Sequence, residues 1–157
     1  MKRTLVILFL IALCLFSCAA SVRWGINRYV DSFGDLTDHT FIKSQTFVLH
    51  PGNFSIAYCS IIIDDNSASI NVDTTSYDTW LIQTKLQDGT VHKYIGDLKG
   101  GRVFLRRSDT DKFIKDIINK CKLVVRPNNE YADKKFNFGD IEMDMEVLKV
   151  VRPDLCT

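Results

Sequence analysis

No stretch of this sequence is rich in proline, or in glycine and serine together; its three prolines and eight glycines are scattered over 157 residues. With no internal repeat and no low-complexity tract, that scarcity excludes a linker and leaves no second domain boundary. The one long apolar run, Leu5 to Phe16, is shorter than the roughly 20 residues a membrane-spanning helix needs. Neither sign of charge is in excess: 20 basic residues stand against 19 acidic, and setting Lys2 and Arg3 aside tips the remainder one charge to the acidic side. Such a chain has no whole-molecule field that would draw it to nucleic acid or to an anionic membrane. Past Cys14 and Cys18 at the apolar start of the chain, the cysteines Cys59, Cys121 and Cys156 stand far apart, which matches none of the common structural zinc patterns. There is no Gly-x-Ser-x-Gly elbow and no cofactor motif, so neither a ready nucleophile nor a cofactor is expected.

What is present begins with a leader. Lys2 and Arg3, the apolar run and the small residues up to Ala20 follow the three-part plan of a secretory signal peptide over residues 1–20. Residues 21–157 then form a single β-rich domain, long enough to bury a core of its own. Three cysteines remain in it: Cys59, Cys121 and Cys156. In an oxidising compartment one pair can bridge, and Cys121 with Cys156 is the expected pair, because Cys59 sits in a strand that reads as buried on both faces.

Hydrophobic alternation dominates the domain. Thr40 to Leu49 reads as one strand ended by His50-Pro51-Gly52-Asn53. Phe54 to Ile63 is apolar at both parities, as a strand inside a sheet would be. Asp64 to Ser67 joins it to Ala68–Val72 as a hairpin, and Asp88-Gly89 joins Tyr77–Leu86 to Val91–Ile95 as another. Gly96 to Gly101 reads as a turn before the strand Arg102–Arg107. Ser108 to Lys122 is the one persuasive helix, capped by Ser108 with Asp111 answering it, and carrying the stripe Phe113, Ile114, Ile117, Ile118 and Cys121. After Leu123–Val125, the run Phe136 to Val147 alternates again with a parity flip at Gly139-Asp140, the mark of a bulge or turn. The fold class is therefore an antiparallel β-sandwich or open barrel of about nine short strands with one late α-helix.

The stretch Tyr29 to Ile42 reads as a structural clasp ahead of every strand. Tyr29, Val30 and Phe33 are apolar enough for the core, Gly34 allows a bend, and Asp31, Asp35 and Asp38 can tie that bend to nearby amides. Its Tyr29-Val-Asp-Ser-Phe-Gly-Asp-Leu-Thr-Asp38 resembles the opening Tyr-Val-Asp-Glu-Phe-Gly-Asp-Pro-Thr-Gly of a group of small exported bacterial proteins and lipoproteins. Asp31, Phe33, Gly34, Asp35 and Thr37 stand in the same order, whereas Ser32, Leu36 and Asp38 depart from it. That group has no established activity, so the resemblance implies export and implies no catalytic residue. Leu15-Phe16-Ser17-Cys18 is similar to the bacterial lipobox, which makes Cys18 a candidate for lipidation and Ala19 to Arg28 a short tether. Cys18-Ala19-Ala20 equally offers ordinary cleavage before Ser21.

Three constellations invite chemistry. Asp31, Asp35 and Asp38 are close in sequence, but not at the spacing of a calcium loop. His39, next to Asp38, and His50 are the histidines a hydrolase would use, with His92 as the third. Lys99, Arg102, Arg106 and Arg107 read as a solvated basic edge. The expected function is a non-catalytic cell-envelope binding or interaction module, in the periplasm or held to the outer membrane by lipid; the alternative is a small periplasmic hydrolase. Its partner is an envelope protein or ligand, with membrane contact through the lipid alone.

Overall fold

The structure is a computed structural model that describes residues 22–51, 56–72, 74, 77–129 and 134–156. The leader and Cys18 lie outside them. The described chain runs through ten strands: β1 (Trp24–Val30), β2 (Leu36–Ser44), β3 (Phe47–Leu49), β4 (Ala57–Ile63), β5 (Ala68–Asn71), β6 (Thr79–Leu86), β7 (Val91–Lys99), β8 (Arg102–Leu105), β9 (Cys121–Pro127) and β10 (Phe136–Ile141). Two helices, α1 (Arg107–Ile118) and α2 (Met145–Val151), and a short 3-10 turn at Pro153–Leu155 complete it. The fold is β-rich. The strands make one antiparallel sheet in the order β1-β2-β4-β5-β8-β7-β6-β9-β10, with β3 added beside β4. The sheet is open: among the described residues no ladder joins β1 to β10 to close a barrel.

Period-2 burial explains the sheet. Trp80, Ile82 and Thr84 of β6, Tyr94 of β7, Val103 and Leu105 of β8, and Leu123 and Val125 of β9 all turn to one face and are buried there. The α1 stripe of Phe113, Ile114 and Ile117 is laid on that face, with the Phe113 and Tyr94 rings 5.8 Å apart and edge-on. β4 buries Ile61, Ile62 and Ile63 in succession, as its position between β2 and β5 requires. The sheet also curls. The Phe47 ring of β3 meets Phe138 of β10 at 5.1 Å, and Lys135 donates its amide to the Pro51 carbonyl, so the two halves of the sheet approach without pairing.

Gly96 is the point of closest approach. It lies opposite Trp80 in β6 and Leu105 in β8, and a Cβ there would stand 2.5 Å from Val103 Cγ1 and 3.0 Å from the Phe104 carbonyl oxygen. β7 therefore runs straight through Gly96 to Lys99, and the turn expected at Gly96 is confined to Gly100 and Gly101, both at positive φ.

Several expectations are corrected. The helix ends at Ile118, because Asn119 closes it and Lys120 takes a left-handed conformation; Cys121 thus opens β9. The first helical residue is Arg107, and Ser108 makes no cap. The end of the alternating run, from Met145, opens α2, where Asp144 accepts from the Glu146 and Val147 amides and caps the helix. β8 is flanked by β5 and β7, so the basic residues around it mark no sheet edge. The segment before the clasp is not a loose tether: Val22 and Trp24 belong to the core, and Trp24 Nε1 donates to the Glu142 carbonyl at 2.8 Å. β1 therefore precedes the clasp as a strand.

Phe33 is 90% exposed and Val30 56% exposed, against the expectation that both rest in the core. They lie at the tip of the β1–β2 hairpin, beyond the reach of any packed layer. Phe33→Ala is accordingly expected to change unfolding free energy by less than about 0.5 kcal/mol, while Gly96→Ala should cost about 1–3 kcal/mol through overpacking; urea titration of the two variants beside the parent checks both values.

Candidate functional site

Two features of the structure bear on function: a buried polar network under α1 and a hairpin arm outside the sheet. Asp116 sits on the α1 face that meets the sheet and is 3% exposed. The Tyr94 hydroxyl donates to its Oδ2 at 2.6 Å, Thr84 Oγ1 donates to the same oxygen, and His92 Nδ1 lies 2.9 Å from Oδ1. Donors from β6 and β7 thus converge on one carboxyl group of the helix. Burial first, then the hydrogen bond and charge of Asp116, push the Tyr94 phenol far above its ordinary range. The Cys121 thiol is raised to about 12, mainly by burial and further by Asp116 and Asp140, which leaves it a poor nucleophile at neutral pH.

The sequence pointed to other residues. His39 and His50 are exposed, and neither side chain has a hydrogen-bond partner among the described residues; His92 is the histidine that meets an acid. Asp116 was legible in principle, since it falls inside the stripe of Phe113, Ile114 and Ile117 where a carboxyl group needs a buried partner. Thr84 gave the matching signal on the buried parity of β6. Cys121 and Cys156 are free thiols, correcting the expected bridge: Cys121 is built into the β6–β9–β10 ladder opposite Leu86 and Ile141, while Cys156 donates to the Arg152 carbonyl in the C-terminal turn. Asp111, expected as a capping partner, instead accepts from Nη2 of the buried Arg152 at 2.8 Å, and Asp154 accepts from the same Nη2 and from Nε.

The arm is the clasp seen in three dimensions. β2 pairs with β4 only at Ile42 and Lys43, so among the described residues the two strands have only each other as ladder partners from Arg28 to Phe41. A two-stranded ribbon is marginal alone, and specific contacts hold this one. Asp31 Oδ1 accepts the amides of Phe33 and Asp35 at 2.8 and 3.0 Å, and Gly34 takes φ +94° in the turn they form. The Tyr29 ring stacks tilted on Phe41 at 4.6 Å, and its hydroxyl donates to Asp64 at 3.0 Å. Asp64 also accepts the Asn66 and Ser67 amides and the Ser67 hydroxyl in the β4–β5 turn. It is thereby a strut from the sheet to the arm. At the tip Val30 pairs with Leu36, and both are exposed beside Phe33.

Asp35 and Asp38 are exposed, and Asp31 is committed to the turn. Among the described residues no group of histidine, cysteine and acidic side chains is placed to hold a metal ion, and no helix is long and apolar enough to cross a membrane. No family model, curated protein or solved structure matches the chain.

Removing the Asp116 carboxyl group would strand the Tyr94 and Thr84 donors in the core. Asp116→Ala is expected to cost about 3 kcal/mol and Tyr94→Phe about 1 kcal/mol, a ranking that chemical denaturation reads directly. For the arm the sign is fixed by Tyr29, whose phenol is raised from 10.0 to about 12, chiefly by partial burial and then by Asp64. The protonated form is favoured in the fold, so its contribution is intact below pH 10 and declines as pH rises towards 12. A melting profile of Tyr29→Phe should lose the part of the alkaline decline that the parent shows in that window.

Proposed function

We propose that the protein is a non-catalytic binding or interaction module of a bacterial cell envelope, exported by its leader and attached to the membrane by lipid on Cys18. The carrying observation is the arm: Val30, Phe33 and Leu36 form an apolar tip, 56%, 90% and 68% exposed, on a ribbon braced by Asp31 and Tyr29. A soluble domain gains nothing for its own core from such a tip, whereas a partner protein with an apolar recess gains its burial. Acidic Asp31, Asp35 and Asp38 around it favour a partner of basic or neutral rim over an anionic membrane surface. The His92–Asp116 pair lies beneath α1 with Asp116 taken up by the Tyr94 and Thr84 hydroxyls, and in this reading the network serves the docking of α1.

The test is made in bacterial cells that export the full chain. A photoreactive amino acid at position 33 should trap an adduct with an envelope protein, distinct in mass from twice the chain, and Leu36→Ser should weaken it without shifting the melting temperature. Labelled fatty acid should enter the wild type and not Cys18→Ser, which moves to the soluble fraction. Absence of the adduct sinks the binding reading, and an unlabelled, soluble wild type sinks the anchor.

A further inference from the structure

Among the described residues β1 ends the sheet on one side, with β2 as its only ladder partner. Gln45 donates its amide to the Arg23 carbonyl at 2.6 Å, which marks Arg23 and Gln45 as a hydrogen-bonded pair. By antiparallel alternation the backbone groups of Trp24, Ile26 and Arg28 then point away from β2. Sheet edges that must stay single are usually protected by lysine, proline or a covering loop. This one carries the exposed Ile26 and Val30 and a single charge, Arg28.

We propose that the β1 edge pairs antiparallel with β1 of a second copy, about a two-fold axis at Asn27, joining two sheets into one. Charge selects that register. With Asn27 at the axis, Ile26 faces Arg28 of the second copy; past Arg28 the strand shifts register before Val30, so Trp24 and Arg23 lie near Val30 and Asp31 at the start of the second copy's turn rather than in strict register with them. Centring on Arg28 would set two guanidinium groups opposite each other, and centring on Ile26 would move Arg23 away from Asp31. None of Arg23, Arg28, Lys43, Asp31 and Asp35 has an ion pair among the described residues. Asp31 keeps Oδ2 available while Oδ1 holds the turn.

The start of β1 offers the matching surface. Arg23, Gly25, Lys43 and Gln45 line a shallow groove of about 360 Å³, basic where the tip of the second copy is acidic. The pairing also covers Ile26 and Val30, while Phe33 and Leu36 reach past the partner's Arg23 and stay presented at both ends of the joined sheet. The inference goes beyond the binding reading and does not need it.

Sedimentation equilibrium of the purified mature chain from about 10 μM to about 1 mM should show a monomer–dimer equilibrium, the range expected of a small interface. Arg23→Asp should weaken association at least about tenfold with an unchanged melting temperature, and Asp31→Asn, which preserves the turn, should weaken it less. At the axis the two copies of residue 27 form a close non-hydrogen-bonded pair, so Asn27→Cys in a Cys156→Ser background should oxidise to a covalent dimer, whereas Gly25→Cys in that background should not. A chain that stays monomeric throughout, or cysteines at 25 and 27 that cross-link alike, overturns the proposal. Loss of the envelope adduct at position 33 with the dimer intact would instead remove only the binding reading.

Discussion

One carboxyl group sets how the long helix α1 meets the sheet. Asp116 on α1 receives Tyr94 and Thr84 and lies against His92, and it is buried to 3% exposure in a face otherwise made of Trp80, Ile82, Phe113 and Leu123. Apolar packing alone tolerates a helix that slides or rotates by a fraction of a turn, since burial is nearly independent of direction. Hydrogen bonds are directional, and a buried acceptor with wrong geometry costs more than it returns. The network therefore fixes the α1 register, and with it the path of the chain into β9 and the seat of Cys121.

From that seat the rest follows outward. β9 carries β10, and the segment after β10 returns to the core through the Met143 amide on the Ile117 carbonyl and the Glu142 carbonyl on Trp24. α2 then packs against β1 and β2, tying the end of the described chain to its beginning. Arg152 locks that closure to α1 by holding Asp111 and Asp154 together. The core is continuous up to Ile42, and past it the β1–β2 ribbon leaves the sheet. Its apolar tip, with Val30, Phe33 and Leu36 exposed, is covered by none of the other described residues.

Much of this was legible. The β4–β5 and β6–β7 hairpins follow from Asp64–Ser67 and Asp88-Gly89 between alternating runs, and Gly139 at φ +72° sits at the irregularity in the β9–β10 ladder that the parity flip indicates. The amphipathic stripe of α1 was visible, although the reading carried the helix past Asn119, where it closes. Asp144, which caps α2, was read only as a polar position in an alternation that continues to Val147. Gly96 misled for a sound reason: glycine at a turn and glycine at a close backbone approach look the same in a sequence.

By itself the sequence determined the local chemistry: which residues alternate, where the chain can turn, and that Asp31 with Gly34 makes a bend. Those depend on neighbours a few positions away. Whether Phe33 is core or surface, whether Trp24 belongs to a tether or a strand, and which of three histidines meets an acid were decided only by the tertiary structure, because each depends on what lies across the sheet. Phe33 and Phe113 are the same side chain with the same transfer free energy. One is covered by a sheet and the other is not, and no property of either residue alone carries that difference.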